Sequence, residues 1–115
     1  MINVVHIVED LKIGGLDRVI SGLIRGHARN VFHVKVWCLV RGGEIFDELK
    51  TAGADVEILG RRSERDLRFI FRLARRLRKE GIRVVHTHGY TATTIGRIAG
   101  IMAQVPVVIA HRHTD

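Results

Sequence analysis

The chain has 115 residues, of which 46% are apolar and 27% are charged, and its formal net charge is +7 at pH 7. This length is enough for one domain with its own core, and the composition is ordinary for a soluble globular protein. The longest nearly apolar stretch, residues 98–110, is too short to span a bilayer, which needs about 20 residues.

The cysteine content and the charge indicate a compartment and a class of partner. Cys38 is the only cysteine, so an internal disulfide is excluded and a reducing compartment is favoured. Met1 leads directly into an apolar segment without the basic start of a signal peptide. We therefore expect a cytoplasmic domain, and its positive charge predicts an anionic partner such as nucleotide phosphates, an acidic membrane surface or nucleic acid.

Five runs rich in β-branched residues alternate with four helical patterns. The predicted strands are residues 3–8, 33–40, 55–59, 83–87 and 107–110. Several of these runs are almost continuously apolar, which is typical of strands covered by helices on both faces. Alternating strands and helices with short connections predict an α/β fold, a doubly wound parallel sheet of Rossmann-like type with strand order 3-2-1-4-5.

Each helical pattern repeats apolar residues every three or four positions. The patterns cover residues 15–29, residues 44–51, a segment that starts at Ser63 and Asp66 and ends at Gly81, and residues 91–103. The third helix is expected to bury Leu67, Ile70, Phe71, Ala74 and Leu77, and the fourth to bury Ile95, Ile98, Ala99 and Met102. Gly53 is expected to end the second helix, and Gly96 and Gly100 to bring the fourth close to the sheet.

Ligands of such sheets bind outside the carboxyl ends of the strands, where the strand order reverses. In the predicted order this point lies between the first and fourth strands. The segments that reach this edge are residues 9–15, 87–90 and 111–115. Candidate functional residues therefore lie in these three segments.

Gly14 and Gly15 precede the first predicted helix. Without Cβ atoms their main chain can contact a pyrophosphate or a sugar, and the helix dipole favours a phosphate at this position. The alternative is a turn that uses glycine only for its backbone freedom. The segment is not a dinucleotide-binding fingerprint, because the loop is too long and lacks a third glycine at the required spacing.

Two His-x-His pairs lie at predicted strand ends, namely His86 with His88 and His111 with His113. If the fourth and fifth strands are neighbours, the pairs come near one another, with His86 and His88 on one face. These histidines either make ordinary strand-end hydrogen bonds or contact substrate as donors or proton carriers. A metal site is not predicted, because His86 is expected to point into the flank of the sheet and Asp10 and Asp115 are weak candidates for a carboxylate ligand.

The polar side of the third predicted helix is strongly basic. Its basic residues are Arg65, Arg68, Arg72, Arg75, Arg76, Arg78 and Lys79. This face is either simply solvated or attracted to anionic lipid headgroups. Nucleic acid is not expected as a partner, because aromatic residues, the usual stacking platforms for bases, make up only 5% of the chain.

Four segments in order carry a resemblance to a known family. They are residues 14–18 (Gly-Gly-Leu-Asp-Arg), 48–56 (Glu-Leu-Lys-Thr-Ala-Gly-Ala-Asp-Val), 83–88 (Arg-Val-Val-His-Thr-His) and 105–111 (Val-Pro-Val-Val-Ile-Ala-His). The series resembles the N-terminal domain of retaining GT-B glycosyltransferases related to glycogen and sucrose synthases and to bacterial polysaccharide and lipopolysaccharide transferases. The resemblance covers essentially the whole chain.

This resemblance implies a two-domain enzyme of which residues 1–115 are the N-terminal, acceptor-side half, with the C-terminal donor domain missing. Such an enzyme transfers a hexosyl group from a nucleoside diphosphate sugar to a hydroxyl of a polysaccharide, lipopolysaccharide or lipid-linked glycan. The transfer retains the anomeric configuration and uses no cofactor or metal. We expect the segment alone to be inactive, and the enzyme to be associated with the inner face of the membrane through the basic helix.

The resemblance also implies roles for particular residues. Gly14 and Gly15 would contact the donor, and His111 would be the catalytic residue beside the transferred sugar. His88 and Tyr90 would lie on the acceptor side. The alternative from another class is a non-catalytic, flavodoxin-like module that binds a nucleotide or phosphate.

Overall fold

The described strands form one parallel sheet with helices on both faces. The computed structural model describes residues 2–9, 32–40, 44–51, 53, 55–61 and 67–111. In chain order the elements are β1 Ile2–Val8, β2 Phe32–Cys38, α1 Glu44–Thr51, β3 Asp55–Ile58, α2 Leu67–Lys79, β4 Ile82–His88, α3 Tyr90–Met102 and β5 Val107–His111. The first predicted helix, residues 15–29, lies outside the described residues.

The sheet has the order β3-β2-β1-β4-β5, and all four neighbouring pairs are parallel. The predicted fold class and strand order are therefore confirmed. From β1 the chain proceeds outward to β2 and β3, then returns to place β4 on the other side of β1. The reversal between β1 and β4 is the switch point at which ligands of doubly wound sheets bind.

Alternate residues of the central strands supply two separate cores. Val5, Ile7 and Val85 belong to the core shared with α2 and α3, whereas Val8 and Val36 belong to the core shared with α1. Because successive side chains of a strand point to opposite faces, a strand covered on both sides must be apolar at nearly every position. This explains the continuous apolar runs in the sequence.

The buried face of α2 agrees with the predicted one only in part. Phe69, Leu73, Ala74 and Leu77 are buried, but Leu67 and Phe71 are 67% and 63% exposed. The prediction that Leu67 and Phe71 pack in the core is therefore wrong. Apolar residues form two stripes along the helix. The stripe that contains positions 69, 73 and 77 packs on the sheet.

The fourth predicted helix, now α3, also turns a different side to the sheet. Ile95 and Ala99 are buried as predicted, whereas Ile98 and Met102 are 43% and 39% exposed. The side in contact is lined by small residues instead, and a Cβ placed on Gly96 would overlap the Thr87 Cγ2 methyl. The predicted close approach through Gly96 and Gly100 is confirmed, and it orients the helix.

Candidate functional site

The carboxyl ends of β1, β4 and β5 lie along one edge of the sheet. Val8 ends β1, His88 ends β4 and His111 ends β5, and these three strands are consecutive neighbours in the sheet. His88 and His111 are register partners. The predicted proximity of these two strand ends is thus confirmed at the level of the backbone.

The other predicted site residues divide into those that the structure places and those that it does not. Tyr90 is the first residue of α3, directly after the strand-end edge. Gly14 and Gly15 lie outside the described residues, as do His113 and Asp115, so their positions stay predictions.

The turn from β4 into α3 brings a helix N-terminus to the same edge. Gly89 caps α3 with φ +91°, a left-handed backbone angle that favours glycine, and its carbonyl accepts a hydrogen bond from the Thr93 amide at 3.0 Å. The first turn of α3 contains no acidic residue. Main-chain amides and the positive end of the helix dipole therefore create a favourable potential for an anion at this edge.

A cluster of three histidines lies just below the edge, between β1 and β4. His6 of β1 is the register partner of His86 of β4, and His88 follows two residues later. A hydrogen bond of 2.9 Å joins His6 Nδ1 and His88 Nε2. The His86 and His88 rings stack with centroids 4.3 Å apart, and the centroids of His6 and His86 are 4.9 Å apart. We call His6, His86 and His88 the histidine cluster.

Burial determines the protonation state of His6. His6 and His88 are only 3% and 2% exposed. Burial, and secondarily the neighbouring His86, lowers the pKa of His6 from 6.5 to about 4. At neutral pH the His6 ring is uncharged, so in the bond to His88 one nitrogen donates and the other accepts. The bond therefore restrains the orientation of the His88 ring.

Sequence reasoning overlooked His6, because the residue lies in the middle of an apolar strand and belongs to no motif. A usable signal was present nonetheless. The predicted order makes the first and fourth strands neighbours, and each carries a histidine near its middle. Aligning the two strands in parallel would have placed His6 opposite His86.

Arg61 provides a buried cation at the same edge of the sheet, on the side of β3. Its side chain is 7% exposed, and Nη2 lies 3.5 Å from a carboxylate oxygen of Glu9, which follows β1. The Arg61 amide donates to the Leu39 carbonyl at 2.6 Å, which fixes the backbone after β3. Sequence reasoning did not single out Arg61 as a site residue, because it lies in no motif.

The basic helix α2 divides into an exposed face and one inward-facing arginine. Arg68, Arg75, Arg78 and Lys79 are exposed. Arg76 instead hydrogen-bonds Glu80 and Glu57 at 2.8 and 2.9 Å, and its guanidinium lies 4.6 Å from the ring centroid of Trp37. The prediction that Arg76 belongs to the polar outer side is therefore wrong. Within the described ranges, no helix is long and apolar enough to cross a membrane.

These features define the structural class to which the chain belongs. A doubly wound parallel sheet with a helix N-terminus and strand-end histidines at its carboxyl edge is an α/β domain of the Rossmann-like type. The sequence then gives the family: a family model for Glycosyltransferase Family 4 matches residues 13–115, and the chain belongs to this family. Comparisons with curated proteins and with solved structures gave no match. The family favours a glycosyltransferase module over the non-catalytic flavodoxin-like alternative.

Proposed function

We propose that the chain is the N-terminal, acceptor-side domain of a retaining GT-B glycosyltransferase that works with a C-terminal donor domain. The enzyme transfers a hexosyl group from a nucleoside diphosphate sugar to a hydroxyl of a polysaccharide, lipopolysaccharide or lipid-linked glycan. The observation that carries the proposal is the family match over residues 13–115, on a sheet whose β1, β4 and β5 end at one edge.

The residues take the following roles in this proposal. Gly14 and Gly15 present main-chain amides to the diphosphate and sugar of the donor, and His111 lies beside the reacting carbon. Tyr90 and the end of β4 at His88 form the acceptor side, with the His88 ring held below it in the histidine cluster. The leaving diphosphate is stabilised by positively polarised groups, a role that suits amides at a helix N-terminus. The register pairing of His88 with His111 supports placing acceptor and reacting centre side by side.

Replacing Gly15 by Val in the full-length enzyme tests the donor role. A side chain at this position would intrude on the path of the diphosphate, so we expect kcat to fall by about 100-fold with the fold intact. The matched control is Gly53→Asn, because Gly53 precedes β3 at the opposite edge and Asn is, after glycine, among the residues that most readily adopt a positive φ such as its +91°. Turnover of a panel of nucleotide sugars is measured, and the anomer of the product is assigned by NMR. Unchanged kinetics in the Gly15 variant would refute the role, and an inverted product would refute retention.

Replacing His111 by Ala tests the catalytic role. Loss of a group beside the reacting carbon should lower kcat by about 10²-fold or more, in the range of a positioned proton donor or acceptor. Nucleotide affinity, measured by calorimetry with the nucleoside diphosphate, should change much less. An equal loss of turnover and affinity, or no loss of either, would contradict the assignment.

In this proposal α2 binds the enzyme to an anionic membrane surface, where the enzyme reaches its acceptor. This part of the proposal is supported by the exposed face of the helix, which combines Leu67 and Phe71 with Arg68, Arg75 and Arg78. Apolar side chains that insert among lipid headgroups, flanked by cations that pair with phosphates, are the elements of an interfacial helix. An acidic membrane lipid is also the partner that complements the net charge of +7.

A further inference from the structure

The histidine cluster has the geometry of a ligand set, which neither the family nor the proposed glycosyl transfer requires. One ring nitrogen from each of His6, His86 and His88 lies within 4.8 Å of the other two. Two of the three rings are almost completely buried, and the third is half-buried.

The convergence of the three rings is a consequence of strand geometry. Residues two apart on a strand share one face of the sheet, so His86 and His88 lie side by side. His6 joins them from β1 because it is the register partner of His86. Val5, Ile7 and Val85 alternate with the histidines and pack against α2 and α3, so the cluster occupies the opposite face.

We propose that His6, His86 and His88 bind a divalent transition metal ion, with Zn²⁺ as the natural occupant. Imidazole is a preferred ligand of zinc, and three histidines with a fourth, exchangeable position are an established zinc ligand set. A His-x-His pair on one strand completed by a histidine from the neighbouring strand supplies these three ligands from a rigid scaffold.

The distances fit an ion of this size. Zinc–nitrogen bonds of about 2.0–2.1 Å in tetrahedral geometry place two ligand nitrogens about 3.3 Å apart. The nitrogens of His6 and His88 are 2.9 Å apart, and none of the three ligand atoms is more than 4.8 Å from another. Because a bound metal lies in the plane of each imidazole, the rings must also rotate out of their stacked arrangement, and the His6–His88 hydrogen bond is exchanged for two metal bonds.

The test uses full-length protein without a histidine tag, stripped with a chelator and titrated with Zn²⁺. Bound zinc is measured by competition with a chromophoric chelator, and Co²⁺ serves as a spectroscopic substitute. We expect one Zn²⁺ per chain and a tetrahedral Co²⁺ absorption spectrum. His86→Gln, which removes a half-buried ligand, should weaken zinc binding by about 100-fold or more, since even outer-shell changes cost 10–100-fold.

The matched control is His33→Gln. His33 is 43% exposed and pairs with Asp55 at 2.9 Å, away from the cluster, so its loss should leave zinc binding unchanged. If a substitution in the cluster impairs folding, wild-type protein still decides the question through its histidine ring NMR signals. Three rings should shift together when Zn²⁺ is added in equimolar amount. Absence of stoichiometric zinc, an octahedral Co²⁺ spectrum, or equal losses in the His86 and His33 variants would overturn the proposal.

Discussion

Arg76 makes three different interactions, two of which connect α2 to the strands β3 and β2. Its guanidinium contacts the carboxylates of Glu57 and Glu80 and covers the Trp37 ring. The hydrogen bond to Glu57, followed by the one to Glu80, raises the pKa of Arg76 above its ordinary value despite partial burial. The planar guanidinium can make all three contacts at once, which a lysine ammonium cannot.

Replacing Arg76 by Ala should therefore destabilise the fold. About a third of the side chain is exposed and the carboxylates are partly solvated, so solvent screening limits the loss to about 1 kcal/mol of unfolding free energy. Arg75→Ala, one residue away on the exposed face, should change it by less than about 0.5 kcal/mol. Urea denaturation of the two variants measures the difference. Equal stabilities would show that the contacts of Arg76 contribute nothing.

At this scale the sequence does not distinguish Arg75 from Arg76. Both belong to a run of basic residues in one helix, and helical periodicity places them only 100° apart. What separates them is the position of Trp37 and Glu57 on β2 and β3, which are distant in the sequence. Such a contact depends on tertiary packing and leaves no local pattern.

At the scale of elements, the packing of α3 is set by its smallest residues. Gly96 and Gly100 are buried, and a Cβ on Gly100 would lie 3.0 Å from Val108 Cγ2. The site at Gly96 is tighter, because its nearest neighbours are Thr87 and Ile7 in the centre of the sheet. Close packing leaves no space for a methyl group there.

Gly96→Ala should accordingly lower stability, whereas Gly100→Ala should be tolerated. Overpacking costs about 1–3 kcal/mol, and the gain in helix propensity from glycine to alanine recovers only about 1 kcal/mol. At Gly100 the neighbour is a single methyl group on the edge strand, which can move by a few tenths of an ångström. Thermal unfolding of the two variants compares them. A Gly96→Ala protein as stable as the parent would contradict the close approach.

The positions of helices and strands along the sequence were more predictable than the faces that the helices turn to the sheet. Strand order and the residue range of α1 follow from apolar runs and glycine stops, because these signals are local and the connection rules allow few topologies. Gly53 and Gly81, predicted as stops, have φ of +91° and +64°. The inward faces of α2 and α3 followed only in part, because both helices offer two apolar or small stripes and only the shape of the sheet selects one.

For the whole molecule, the edge of the sheet that carries the candidate site was predictable. The residues that lie at this edge were predictable only in part. Because parallel strands end together at one edge, the neighbouring positions of His88 and His111 followed from the strand order alone. His6 did not, since its contact with His88 joins residues 82 positions apart and depends on the register of β1 against β4. The contribution of Gly14 and Gly15 to donor binding stays a prediction.

The charge of the molecule is concentrated where two large apolar side chains are exposed. Leu67, Phe71, Arg75 and Arg78 occupy one side of α2, opposite the buried positions 69, 73 and 77. If this surface contacts an anionic membrane, its cations contribute about 1 kcal/mol each, and salt should weaken binding because exposed charges are screened beyond about 10 Å at 0.1 M.

Reversing three of these charges, in the variant Arg68→Glu, Arg75→Glu, Arg78→Glu, should weaken binding to phosphatidylglycerol-containing vesicles by about 100-fold, which corresponds to about 3 kcal/mol. The matched control carries the same change in net charge at exposed residues of other elements, Lys50→Glu, Arg83→Glu and Arg97→Glu. Vesicle sedimentation at two salt concentrations, with phosphatidylcholine vesicles as a neutral reference, measures both proteins. If the two variants lose binding equally, the attraction comes from net charge rather than from α2. If Phe71→Ser leaves binding unchanged, no apolar side chain inserts into the membrane. If both results are found, α2 is simply a solvated basic face.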